Sequence, residues 1–195
     1  MTNPQTVAHD PLLPWQWLLQ QPCWGVAAGS GTGSQASLHF GRKLRRAREL
    51  ENPTLEPDMR LYQGEVTLFV ECKWSIHKER KVLFDSDRYQ GPDEQMVQAL
   101  RRLRGASVDQ ISLFVPPSAL SIQFNNGILL NIEAEKQRGE DPHDNYSLLV
   151  PDRSYIIGPD LRLRIESRRG VLETINPSHS GSSARPPQRP RRSAG

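Results

Sequence analysis

Between Glu65 and Ile76 the sequence EVTLFVECKWSI constrains the fold more than any other stretch. Val66, Leu68, Val70, Cys72, Trp74 and Ile76 recur at every second position, with Glu65, Thr67, Glu71, Lys73 and Ser75 between them. Successive side chains of a strand point to opposite faces, so this spacing predicts one long strand with a core side and a wet side. Shorter runs follow the same rule: Ala36/Leu38/Phe40, Ile111/Leu113/Val115, Leu120/Ile122/Phe124, Ile128/Leu130/Ile132 and Leu161/Leu163/Ile165. Half-buried strands of this kind belong to antiparallel sheets.

GPDEQMVQALRRLRG breaks the pattern. Met96, Val97, Leu100 and Leu103 lie at helical spacing, acids stand near the start and Arg101, Arg102 and Arg104 near the end, and Gly105 suits a C-terminal cap. The sequence therefore predicts an α+β fold, a curved, mainly antiparallel sheet packed on one main helix, Asp93–Arg104. Shorter helices are expected over Trp15–Gln20 and Lys43–Glu51. On either side of the main helix Ser37–Gly41 and Ser121–Gly127 echo one another, as do Lys73–Ile76 and Asn145–Leu148. Two related β-units explain the echo, and so does chance across so few positions.

A chain of 195 residues holds one well-buried domain plus tails, expected here as a single α+β domain over 12–170 behind a flexible 1–11. Residues 171–195, rich in Arg, Pro and Ser, offer almost nothing to a core and read as a disordered tail. From Arg168 onward six Arg face one Glu, a net +5 that leaves the preceding residues at −2 out of the total of +3. The basic balance thus belongs to the tail, where it fits weak nucleic-acid contact, and the folded part is mildly acidic. No apolar run reaches the roughly 18 residues of a membrane helix, and the N-terminus lacks the pattern of a secretory signal. A cytoplasmic protein is expected, with Cys23 and Cys72 reduced and no cofactor or metal; the five His show no ligand spacing.

Three motifs invite chemistry. Gly29-Ser30-Gly31-Thr32-Gly33-Ser34 looks like a phosphate loop, but no Lys follows the last glycine and a strand, not a helix, opens after it. Pro57-Asp58 followed by Glu71-Cys72-Lys73 has the order of a PD-(D/E)xK nuclease. There Asp58 and Glu71 would hold Mg²⁺ and Lys73 would stabilise charge on the phosphate. The same Glu-x-Lys is also what a solvent-facing strand shows, because opposite charges pair across a sheet. Basic clusters over Arg42–Arg48 and at Arg101, Arg102 and Arg104 fit a phosphate-binding face, and the second equally fits an ordinary helix end.

GSQASLHFG (33–41), GEVTLFVECKWSI (64–76), Ser86-Asp87 and FNNGILL (124–130) together resemble a family of small bacterial proteins akin to polymorphic-toxin immunity-type proteins. The resemblance spans about residues 30–150. This chain departs from the pattern at Ala36 and at Glu71. It implies that Cys72, Trp74 and Phe40 are core residues, with Trp74 against Phe40, and that the protein binds rather than catalyses. The expected function is a non-catalytic cytosolic accessory or immunity-type protein that binds another protein, with Glu71, Lys73, Arg101, Arg102 and Arg104 as contact candidates. The alternatives are the Mg²⁺-dependent nuclease and a nucleic-acid-associated adaptor working through the basic segments.

Overall fold

The alternation from Val66 to Ile76 is shared between two sheets. The computed structural model describes residues 12–29, 33–88, 90, 93–114, 119–138 and 141–167. Within them a 3-10 helix, Leu13–Leu18, precedes β1 (Cys23–Ala28) and β2 (Ala36–Arg45). Next come α1 (Pro57–Leu61), β3 (Tyr62–Val70), β4 (Lys73–Lys78), β5 (Lys81–Asp85) and α2 (Asp93–Arg101). The remaining strands are β6 (Val108–Phe114), β7 (Ala119–Phe124), β8 (Ile128–Glu133), β9 (Tyr146–Leu149), β10 (Arg153–Ile157) and β11 (Leu163–Ser167). One sheet has the order β1-β2-β3-β9-β10-β11 and the other β5-β4-β8-β7-β6. All of these pairings are antiparallel.

The expected single strand over 66–76 is therefore corrected: it turns a corner at Glu71-Cys72 and changes sheet. The alternation survives because both sheets face one core, so Val66, Leu68, Val70, Cys72, Trp74 and Ile76 stay buried on both sides of the corner. A strand that switches sheets through a bend is a standard way to build such corners. Phe40 of the first sheet stacks on Phe124 of the second at 6.4 Å between ring centroids. Phe40, Cys72 and Trp74 are all buried, but the ring on Trp74 is Phe84, at 4.9 Å, rather than Phe40.

Cutting the chain before α2 exposes a common plan. Each half runs helix, three-stranded meander, then hairpin: β1-β2-β3 and β4-β5 in the first, β6-β7-β8 and β9-β10 in the second. Each sheet joins the meander of one half to the hairpin of the other, β3 beside β9 and β8 beside β4. The echoed segments fall on matching strands, Leu38 and Phe40 on β2 against Ile122 and Phe124 on β7, and Trp74 on β4 against Tyr146 on β9. Three elements lie outside the shared plan: α1 between β2 and β3, the long crossover 134–145 from β8 to β9, and β11.

Further expectations are corrected. No helix forms over Lys43–Glu51, because β2 continues to Arg45, with Lys43, Leu44 and Arg45 opposite Gly64, Gln63 and Tyr62. The register shifts between Phe40 and Lys43, and Gly41 takes φ +69 there, a conformation that suits glycine. His39 secures this bulge. Its ring is buried, Nδ1 accepts the Gly64 N–H at 2.9 Å, and burial, reinforced by the nearby Arg46 charge, lowers its pKa to about 3. The main helix stops at Arg101, a turn before Arg104, and Gly105, at φ +80, donates its N–H to the Cys23 carbonyl at 2.7 Å. Rather than serving as the platform of one sheet, α2 packs beside β1 and β5. The expected tail beyond 170, the flexible 1–11, Pro92 and Ser30–Thr32 of the glycine stretch lie outside the described residues.

Candidate functional site

The two crossovers between sheets meet. The tight one, Glu71-Cys72, donates both of its backbone N–H groups to the Asn145 carbonyl of the long one, at 2.8 and 3.0 Å. Asn145 is fully buried, and its side-chain amide bridges the Glu135 backbone and the Gly158 carbonyl at 2.9–3.1 Å. Between the crossovers lies a polar cleft of about 420 Å³ lined by Glu71, Cys72, Lys73, Glu135, His143 and Asn145. The structure thus brings Glu71 and Lys73 to one cleft.

Their charges are already answered locally. Lys73 Nζ sits 2.9 Å from Glu135 and 3.2 Å from Asp87, and these bonds raise its pKa. Glu71 accepts a hydrogen bond from Gln35 Nε2 at 3.1 Å. Partial burial pushes its carboxyl up, His143 opposing and Asp144 adding to the shift. Asp58 does not join them. It lies on α1 before β3, paired with Lys43 at 2.6 Å, while Glu71 follows the far end of β3. At about 3.3 Å per residue, nine strand residues separate the two carboxylates by on the order of 20 Å or more, too far to share one ion. Among the described residues no group of three or more His, Cys, Asp or Glu is placed to hold a metal. Both thiols are buried and free, and burial raises each to about 12.

The basic helix end is also partly neutralised. Arg101 and Arg104 converge on Glu56 Oε1 at 3.2 and 2.8 Å, and Arg104 donates to the Trp24 carbonyl. Arg102 is exposed on the turn after α2, its carbonyl bonded by Asn126 Nδ2.

A different surface stands out by its exposed apolar side chains. Of the eight exposed large hydrophobic side chains among the described residues, five gather at one corner: Leu13, Trp17, Leu19, Leu163 and Ile165. Leu13, Trp17 and Leu19, on and just after the 3-10 helix, edge a groove of about 500 Å³ whose floor includes Arg153 and Tyr155 of β10. Ile165 lies directly across from Tyr155 in the β10–β11 ladder, and Leu163 across from Ile157, so the apolar strip continues onto β11. The expectation that Leu163 and Ile165 are core residues is corrected. They continue the core face past the point where anything covers it among the described residues, and all five residues of β11 are exposed.

Sequence reasoning passed over this corner, although a signal existed. Leu12-Leu13-Pro14-Trp15-Gln16-Trp17-Leu18-Leu19 holds more apolar residues than one face of a six-residue helix can bury. Trp15 and Leu18 take the inward positions, and Leu13, Trp17 and Leu19 are left outside. No described helix is long and apolar enough to cross a membrane. Comparison with protein-family models, curated proteins and solved structures finds no match to this chain.

Proposed function

We propose that the chain is a non-catalytic protein-binding domain, and that the corner formed by the 3-10 helix, β10 and β11 is its contact surface. One observation carries this reading: the exposed apolar side chains cluster there around Trp17, with Arg153 and Tyr155 beside them. Tight protein contacts favour that composition, since aromatic and Arg anchors dominate their energetics. The Glu71 cleft supports the non-catalytic part, because its lysine is held by two carboxylates and the Asp58 of the nuclease order stands at the other end of β3. An accessory or immunity-type role is the form of binding that the family resemblance implies.

The test is site-specific photocrosslinking in the native cell, followed by calorimetry with the purified captured protein. A crosslinker at position 17 gives one defined adduct and the same group at exposed Val82 gives none. Trp17→Ala then weakens the purified complex by about tenfold or more. Equal capture at both positions, or unchanged affinity in Trp17→Ala, overturns the reading.

A further inference from the structure

Among the described residues β11 is an edge strand that pairs with β10 alone, with no strand on its second hydrogen-bonding side. Antiparallel ladders alternate between residues that bond to one neighbour and residues that bond to the other. The Val150 N–H reaches the Arg153 carbonyl at 3.0 Å, which assigns Arg153, Tyr155 and Ile157 to the β9 side. The Gly158 N–H reaches the Arg162 carbonyl at 3.0 Å, which assigns Ser154 and Ile156 to the β11 side. Arg164 and Glu166 therefore bond inward to β10. Leu163, Ile165 and Ser167 direct their N–H and C=O groups to the open edge.

Natural edges are blunted by Pro, Lys or bulges. β11 has none of these: its sequence is LRIES and its register against β10 is unbroken. Its charges are instead arranged for self-pairing. Placed antiparallel to itself about a two-fold axis through Ile165, the strand sets Arg164 opposite Glu166 of the partner subunit. Glu166 likewise meets the partner subunit's Arg164, and Ile165 meets its own counterpart. The same register puts every outward-bonding residue opposite another. Arg164 and Glu166 are about half exposed; within one chain Arg164 pairs with Glu166 at 3.5 Å and with Asp144 at 3.1 Å, and the self-paired register exchanges the first of these for two cross-strand pairs.

We propose that β11 is a self-association edge: a second copy of this chain adds its β11 antiparallel, joining two six-stranded sheets into one continuous sheet, with Ile165 packed beside its counterpart. This rests on the reading of the corner as a protein contact and names the partner.

The register predicts a charge-swap experiment on the full chain. Arg164→Glu makes every cross-strand pair acid against acid, and Glu166→Arg makes every pair base against base. Sedimentation velocity over a wide concentration range follows the wild type, each variant alone and their equimolar mixture. The wild type dimerises, and each variant alone dissociates at least tenfold more readily. The mixture recovers a heterodimer of near wild-type affinity, because both acids of one variant then face both bases of the other. A thermal melt of each variant confirms that the monomer is folded. A wild type that stays monomeric at every concentration overturns the inference, and so does a mixture no tighter than its components. Neither result touches the crosslinking test at Trp17, so failure of the self-association edge and failure of the protein-contact reading are separable.

Discussion

The two halves of the chain end their sheets differently. β5, the last strand of the first half, is an edge with two of the usual protections: a register shift where it faces Ile76 and His77, and Lys81 at its start. Its counterpart β10 is covered by β11, which shows no bulge and presents Leu163 and Ile165. Where the halves agree, in the meanders and the Phe40–Phe124 stack, the residues build a core. Where they differ, they make a surface. The difference teaches that the additions to the common plan, rather than its shared strands, are the places to look for activity.

The comparison can be broken in the core first. Phe40→Ala and Phe124→Ala each remove a fully buried ring, and each is expected to cost about 3–5 kcal/mol in urea denaturation. A large cost in one alone would show that the halves do not share the load. A smaller asymmetry lies in two glycines. At Gly64 a Cβ would meet the Val66 carbonyl oxygen at 2.5 Å and the Phe40 nitrogen at 2.8 Å, both backbone, so Gly64→Ala is expected to cost about 3 kcal/mol. At Gly127 a Cβ has open space and the strain comes only from φ +79, so Gly127→Ala is expected to cost about 1 kcal/mol.

His39 sharpens the contrast through pH. The matching position of β7 is Gln123, between Ile122 and Phe124 as His39 is between Leu38 and Phe40. The His39 pKa is lowered from 6.5 to about 3 in the fold, so between those values the unfolded chain binds the extra proton. Its contribution is fully present above about pH 6.5 and is lost as pH falls, at about 1.4 kcal/mol per pH unit, or about 2 kcal/mol by pH 5. His39→Gln, which installs the residue of the other half, is expected to flatten that part of the stability–pH curve while other groups keep theirs. An unchanged slope would mean that His39 is not the titrating group. The smallest effects on stability are expected at the corner: in protein dilute enough to be monomeric, Trp17→Ala and Ile165→Lys should each move the unfolding free energy by no more than about 0.5 kcal/mol. A larger loss would make those side chains part of the fold rather than a contact.

The strands were legible because one-sided burial writes a period of two into the sequence, and α2 because its acids, apolar stripe and arginines agree. The corner at Glu71-Cys72 was not, since a strand passing between two sheets that share a core keeps its apolar face unbroken. Lys43–Arg45 read as helical in the sequence because their partners, Gly64 to Tyr62, lie about twenty residues away and no local signal announces the pairing. At the candidate sites the sequence could show that Glu71 and Lys73 are neighbours, but not that Asp58 stands at the opposite end of β3. Nor does alternation alone separate a covered strand from an exposed one, so Leu163 and Ile165 read as core. Which face of an edge strand is buried depends on what packs above it, and that is a property of the whole fold.

Residue-resolved hydrogen exchange across β11, measured on the full chain at low and high concentration, tests the central claim most directly. The account predicts that the Leu163, Ile165 and Ser167 amides exchange freely in dilute protein and become protected as concentration rises, while Arg164 and Glu166, already bonded to β10, hardly change. Concentration-independent exchange at all five amides would contradict it.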